Sequence, residues 1–474
     1  MKLKITNDRT ADADKMYLLL TATSQTGLTG IAENTSVKLS DFITSNPSMT
    51  ITADSIVGAR LYVGYGAFPT DNDPVPGGPQ YYGWIEFTQN PSESNVWINL
   101  SNVDLSGLPL TLAGTDISNA AFSLGYKKSV SDIVTQMVSD AFADPKSDAN
   151  PAYITCTTGQ VKILGPNKTP ASYPSYSDYI SALSTNAAPL SITTDTPKGA
   201  PAITLTGSFL NAINDSDPII SLKTADGANT LVVLKSQFNT TLIYECGGGK
   251  LIFNGNTVDQ NQSPQNTNDK LYANSAFRNI LIGMNEGYFT KTGPNNSEGF
   301  GGQVPFATGD GSKYAQVLHE NSNSYGFPYA DSNLKVLVQA NSSDTIDMTI
   351  CTDTEAKGYS DDKNTPNMPT SGDYQFGIGG KSSDLGMITI GNWRYIADKT
   401  TGGYGGYLPT LTEWTKMEFA GPGKYIWIKT TGAGLVSADK CFNTGAPTYI
   451  NKVLTWGASV SWVSGVDSPA KPTS

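Results

Sequence analysis

The first 112 residues are cut into short apolar runs by clusters of Gly, Pro, Asn and Ser, and this punctuation most limits what the chain can fold into. The runs are Met16–Ala22, Arg60–Tyr65, Tyr81–Phe87, Val96–Val103 and Pro109–Leu112. Short strands at close spacing with turn signals between them indicate a β-sandwich or barrel. One pair of runs also carries chemistry. Trp84-Ile85-Glu86-Phe87-Thr88 is followed by Val96-Trp97-Ile98-Asn99-Leu100-Ser101-Asn102-Val103-Asp104. The turn between them, Asn90 to Asn95, is rich in Asn, Pro and Ser, which predicts a hairpin.

Period-two alternation places Glu86 on one face with Trp84 and Thr88, and Asn102 on one face with Asp104. Two neighbouring strands would then hold two carboxylates over one groove. Hydrolysis of a sugar acetal needs such a pair, one carboxylic acid and one carboxylate across the scissile bond. Trp97 offers a flat apolar face for a pyranose ring. The plain alternative is that Asp and Glu on strands simply face solvent, and spacing alone leaves both readings open.

The motif resembles that of the glycoside hydrolase family 64 β-1,3-glucanases, the laminaripentaose-producing type. Their pattern, Trp-x-Glu-aromatic-Thr and then Leu-Trp-Ile-Asn-x-Thr-x-Val-Asp, stands here as Trp84, Glu86, Phe87, Thr88, then Val96, Trp97, Ile98, Asn99, Ser101, Val103, Asp104. The stretch between Glu and Asp is about two residues longer than in the family, and Ser101 replaces its Thr. Weaker patches stand in the right order at Leu3–Asn7, Arg60–Gly66, Tyr314–His319 and Tyr325–Asp331, so the resemblance runs from about residue 1 to about residue 355. It implies a thaumatin-like β-barrel beside a mixed α/β subdomain, with a wide cleft between them. It implies an endo-acting, inverting hydrolase of β-1,3-glucan, with Glu86 as general acid and Asp104 as general base. Inversion requires carboxyl groups about 6.5–9.5 Å apart, with a water between. Thr88, Asn90, Trp97, Asn99 and Ser101 match positions that line the family's sugar groove; their plain reading is ordinary hairpin surface, with Trp97 capping the core. A general acid also needs an apolar setting, to which Trp84 and Phe87 would contribute. No cofactor or metal is implied. The alternative is a non-catalytic carbohydrate-binding or structural protein that keeps the fold.

A helical pattern follows the first strands. Val130, Ile133, Val134, Met137, Val138 and Phe142 recur at helical spacing, with Ser129 as N-cap and Asp144-Pro145 as the stop. Further helices are expected with Tyr176, Tyr179, Ile180 and Leu183 on one face, over about 275–284, and over about 313–320. Strand-like runs interrupt them at Ile203–Thr206, Thr230–Leu234 and Thr241–Tyr244. The expected organisation is therefore 1–112 as the barrel part with the catalytic hairpin, 113–355 as the α/β subdomain with returning barrel strands, and 356–474 as a β-rich extension. Five of the seven tryptophans (Trp393, Trp414, Trp427, Trp456, Trp462) lie in that extension. Exposed, they would make a carbohydrate-binding or protein-contact surface; buried, only a core, which is the favoured reading.

The net charge of −11 argues against nucleic acid, whose phosphates need clustered Lys and Arg. Neutral glucan is compatible with it. No apolar run is long enough to span a membrane as a helix. Met1-Lys2-Leu3-Lys4 leads into Ile5 without a signal-like apolar segment, whereas bacterial secreted members of the family carry one. This indicates either a mature form with an added Met or a protein delivered without conventional secretion. Cys156, Cys246, Cys351 and Cys441 have no zinc spacing. Cys246 matches one half of a disulfide in the family, but its partner position near Ala273 or Asn274 holds no Cys, which favours a reducing compartment. The sequon at Asn99-Leu100-Ser101 lies inside the proposed groove, where a glycan would obstruct it. His319, the only histidine, stands beside Glu320 on an expected helix and reads as structural; no Gly-x-Ser-x-Gly elbow accompanies it. Asp71-Asn72-Asp73 and Asp361-Asp362 read as solvated loops rather than calcium ligands.

Overall fold

The strands pair into open sheets, and among the described residues none closes into a barrel, so of the barrel or sandwich expected it is the sandwich-like pairing of sheets that is found. The computed structural model describes residues 1–359 except 44–47, 70–72, 92, 118, 145–149, 195–200, 261–267, 294, 296–305, 307–308 and 329–335. Beyond residue 359 it describes only strand backbone, at 375–378, 386–390, 393–394, 406–408, 415–418, 425–430, 434–436, 450–456 and 460–465. The chain divides into one unit of residues 1–300 and 305–366 and another of 301–304 and 367–474.

In the first unit, two sheets face each other. One has the order Ala121–Leu124, Leu110–Thr115, Thr345–Ile350, Lys2–Asn7, Ser48–Thr52. The N-terminal strand runs parallel to Thr345–Ile350, so the start of the chain and a segment more than three hundred residues later complete the same sheet. The other sheet is built on Ser324–Tyr325, Asn95–Ser101, Tyr82–Gln89, Ser55–Tyr65, Met16–Thr21 and Val37–Lys38, with Val338–Asn341 and Ser24–Thr26 paired at its sides. Alternation decides which side chains meet between the sheets. Leu61 and Val63, Ile85 and Phe87, and Val96, Ile98 and Leu100 turn inward onto Leu3, Ile5, Leu112, Ile346 and Met348, and all are buried. The intervening residues face outward.

A six-stranded antiparallel meander forms the mixed α/β part, in chain order from Pro189–Thr193 through Thr204–Phe209, Pro218–Lys223, Thr230–Leu234 and Lys250–Phe253 to Asn256–Asp259. Helix Asn268–Asn285 packs on it through Phe277, Ile280, Leu281 and Met284, each fully buried. This helix is longer at its N-terminal end than the apolar pattern predicts. Helices Ser177–Thr185 and Lys313–Asn321 stand where expected. The expected helix from Val130 changes to π geometry at Met137–Ala141, and Ser129 caps its start by accepting from the Asp132 amide at 3.1 Å.

The run Thr241–Tyr244 is a correction: it lies in helix Thr240–Glu245, not a strand. Asn239 caps that helix through the Leu242 amide at 3.2 Å, and Cys246 ends it in the left-handed region at φ 53°. Short-range capping prevails over β-branched composition here. Cys156, Cys246 and Cys351 are buried free thiols. Cys441, Pro145, Asp361-Asp362 and the side chains of the five C-terminal tryptophans lie outside the described residues.

Candidate active site

The hairpin forms with Glu86 directly opposite Asn99, Trp84 opposite Ser101, and Thr88 opposite Trp97. Ile85 and Phe87 belong to the core, so Trp84, Glu86 and Thr88 share the outward face. Phe87 therefore turns away from Glu86, and of the two expected aromatics only Trp84 stands beside it. Its Nε1 lies 3.5 Å from Glu86 Oε1. Trp84 is buried against Tyr62 and Tyr82, with ring centroids 5.9 and 6.1 Å away.

The neighbouring strand Ser55–Tyr65 supplies the strongest partner. Arg60 pairs in register with Glu86 and donates from Nε to Oε1 at 3.1 Å. Its Nη1 donates to Asp73 Oδ2 at 2.8 Å. The register shifts between Ile56 and Ala59, and Gly58 takes φ +59° in this bulge. That conformation suits glycine. It aims the Gly58 amide at Thr88 Oγ1, 3.0 Å away.

Asp104 is placed by a different device. Strand Asn95–Ser101 ends at Ser101, and Asp104 follows in a bend. Leu105–Ser106 then pairs with Val161–Leu164, so the chain leaving that strand passes alongside Asp104. The Gly165 amide donates to the Asp104 carbonyl at 2.8 Å. A Cβ at Gly165 would stand 2.2 Å from the Val103 carbonyl oxygen, so only glycine permits this approach. Asn167 and Lys168 follow at once. Asn167 Nδ2 lies 2.6 Å from Asp104 Oδ1, and Lys168 Nζ 3.2 Å from the same oxygen.

Glu86 and Asp104 line one groove of about 910 Å³ together with Thr88, Trp97 and Asn99. Arg60, Asp73, Asn167, Lys168 and Tyr325 also line it. Trp97 is 37% exposed there. Asn99 is buried, and among the described residues no hydrogen bond reaches its Oδ1. The other two residues matched to the family's sugar groove stand apart from it. Asn90 sits in the hairpin turn, donating to Glu93 at 3.0 Å, and Ser101 is buried. Both carboxylates share one arrangement: two donors converge on one oxygen, and among the described residues none reaches the other.

Arg60, Asp73, Asn167 and Lys168 were not legible as site residues. Arg60 stood inside a recognised run, but its register opposite Glu86 depends on the Gly58 bulge. The approach of Asn167 and Lys168 depends on a distant strand pairing. His319 is buried against Phe306 and Phe327, with ring centroids 6.1 and 6.4 Å away, well inside the fold. Burial pushes its imidazole down to about 3, so it stays neutral. Among the described residues no cluster of His, Cys, Asp and Glu could hold a metal ion, and no helix is long and apolar enough to cross a membrane.

A family model described as β-1,3-glucanase, glycoside hydrolase family 64, matches residues 9–350. Among solved structures, the chain is similar to a laminaripentaose-producing β-1,3-glucanase in complex with laminaritetraose, at 17% identity and TM-score 0.48, over 74% of this chain and 98% of that one. It is also similar to a β-1,3-glucanase domain from Clostridium beijerinckii, at 14% identity and TM-score 0.44, over 74% and 97%. A third is a laminaripentaose-producing β-1,3-glucanase from Paenibacillus barengoltzii, at 12% identity and TM-score 0.41, over 74% of each chain. No curated protein matches the chain.

Proposed function

The chain belongs to glycoside hydrolase family 64, the β-1,3-glucanases, and from that premise we propose that it cleaves β-1,3-glucan internally, with inversion, using Glu86 as general acid and Asp104 as general base. The observation that carries this reading is the meeting of the two carboxylates in one groove, each with a single oxygen engaged by its neighbours. A proton donor must leave one oxygen free for the glycosidic oxygen, and a base must leave one free for water.

The cleavage then follows simple bookkeeping of atoms. The bond from the anomeric carbon to the glycosidic oxygen breaks, and that oxygen takes the proton from Glu86 Oε2. A water attacks the opposite face of the ring and gives its proton to Asp104 Oδ2. Lys168 and Asn167 fix Asp104 through Oδ1 and hold it ready as a base. Trp97 would stack on one sugar face. Asn99 lines the groove beside Trp97, and its buried Oδ1 has no hydrogen-bond partner among the described residues. We read the two-sheet body as the family's thaumatin-like part and the helix-backed meander as the second wall of a wide cleft. An open groove suits a polymer held along its length. Residues 1–112 and 113–355 would carry the chemistry, and 356–474 would be accessory.

Glu86→Gln should cut laminarin turnover by about 10²–10⁴-fold, with melting temperature and laminarin binding nearly unchanged. Asp104→Asn should lose activity by a similar factor. Either variant keeping most of its turnover would remove that residue from the mechanism.

A further inference from the structure

We propose that Arg60 is a positioning residue that pins Glu86 by Oε1 and so reserves Oε2 as the oxygen that delivers the proton. The inference rests on the reading of Glu86 as the general acid and adds the part that makes it directional.

Thr21, Arg60, Glu86 and Asn99 stand opposite one another on four consecutive strands, forming one row across the sheet. Arg60 occupies an interior position of this row, so strand pairing on both sides fixes its backbone. Its guanidinium is then held at two separate atoms, Nε on Glu86 and Nη1 on Asp73. A planar group bound at two points cannot rotate about its stem. Asp73 is itself reached by Thr21 Oγ1 at 3.4 Å, and Tyr62 from the same strand as Arg60 interacts with both Arg60 and Asp73. Burial keeps that phenol protonated. The anchor for Glu86 thus runs back through Arg60 into a built polar cluster at the groove edge.

The arrangement has a chemical consequence. An Arg N–H donates to Oε1 whether or not Oε2 carries a proton, because the carbonyl oxygen of a carboxylic acid still accepts. The contact therefore persists through proton delivery. Asp73 offsets the guanidinium charge, so Arg60 holds Glu86 without adding a net positive charge beside a group that must carry a proton. The pair is also half-exposed, with Arg60 42% and Glu86 29% accessible at the side chain. Such ion pairs contribute little to stability, so geometry is the better account of this contact.

Leaving-group dependence tests the proposal. Laminarin needs a proton on its departing oxygen; a 2,4-dinitrophenyl β-laminaritrioside does not. Arg60→Gln should lower kcat on laminarin by about 10–100-fold with KM nearly unchanged, the scale of a misplaced catalytic group. On the dinitrophenyl substrate the same variant should come within about threefold of the parent. Asp73→Asn should behave alike, with a smaller loss, and it carries the test if Arg60→Gln fails to fold. Equal losses on both substrates, or a raised KM with unchanged kcat, would overturn the proposal. Glu86→Gln is run beside them. If its loss is relieved by the dinitrophenyl leaving group while that of the Arg60 and Asp73 variants is not, only the role of Arg60 fails. If the Glu86 variant is not relieved either, its assignment as acid fails and the proposal with it.

Discussion

At the residue scale, the two histidine and arginine environments show how burial and pairing divide labour. Arg60 is charged, half-exposed and tied to the groove. His319 is neutral and buried, and its ring contacts are the aromatic rings of Phe306 and Phe327. Its imidazole is pushed from an ordinary 6.5 down to about 3 by burial. Between those values the unfolded chain binds a proton that the folded chain refuses. The stability this residue contributes is therefore full above pH 6.5 and falls as pH drops toward 3. His319→Met should remove that slope. Between pH 7.5 and 4.5 the parent should lose about 2–3 kcal/mol more than the variant, measured by denaturant titration at each pH. Parallel pH profiles would show that the ring titrates freely in the fold.

At the element scale, the hairpin was legible because its signal is local. Ile85 and Phe87 alternate with Trp84, Glu86 and Thr88, and a period of two admits only one assignment of faces once a core exists. The helix faces were legible for the same reason at their own period. Three features were not. Thr240–Glu245 carries Thr and Ile, and its helix is decided by the Asn239 cap. The strand pattern left barrel and sandwich open and the family resemblance pointed to the barrel, but the described strands close into no ring. The partners of the two carboxylates arise from non-local pairing: Arg60 through a bulge at Gly58, and Lys168 through Val161–Leu164 beside Leu105–Ser106. Gly58 is the element-scale lever on the site. A Cβ there would meet Thr23 Oγ1 at 2.7 Å with the backbone at positive φ. Gly58→Ala should cost about 1–2 kcal/mol of stability and weaken glucan binding by moving Thr88. A variant with unchanged stability and KM would show that the bulge does not position the groove.

For the whole molecule, the first unit is closed by its ends. Arg9 donates to the Cys351 carbonyl at 2.6 Å and pairs with Asp353. Lys357 pairs with Asp8, and Ser123 donates to the Gly358 carbonyl at 2.6 Å. A chain cut just before Lys357 would keep the ties of Arg9 and lose those of Asp8 and Ser123. A chain ending at Pro366 keeps them all and should stay folded and active on soluble laminarin; unfolding or loss of that activity would make the remaining residues integral to the catalytic part. If the C-terminal region binds glucan, the same truncation should weaken retention on insoluble glucan. In the proposed reaction Asp104 activates a water while Glu86 protonates the leaving oxygen. Proton NMR on the first minutes of a laminarin digest tests it most directly. The new reducing ends should appear first as the α-anomer and only then equilibrate. A β-anomer at the start would contradict it, because Asp104 would then be attacking carbon rather than activating water.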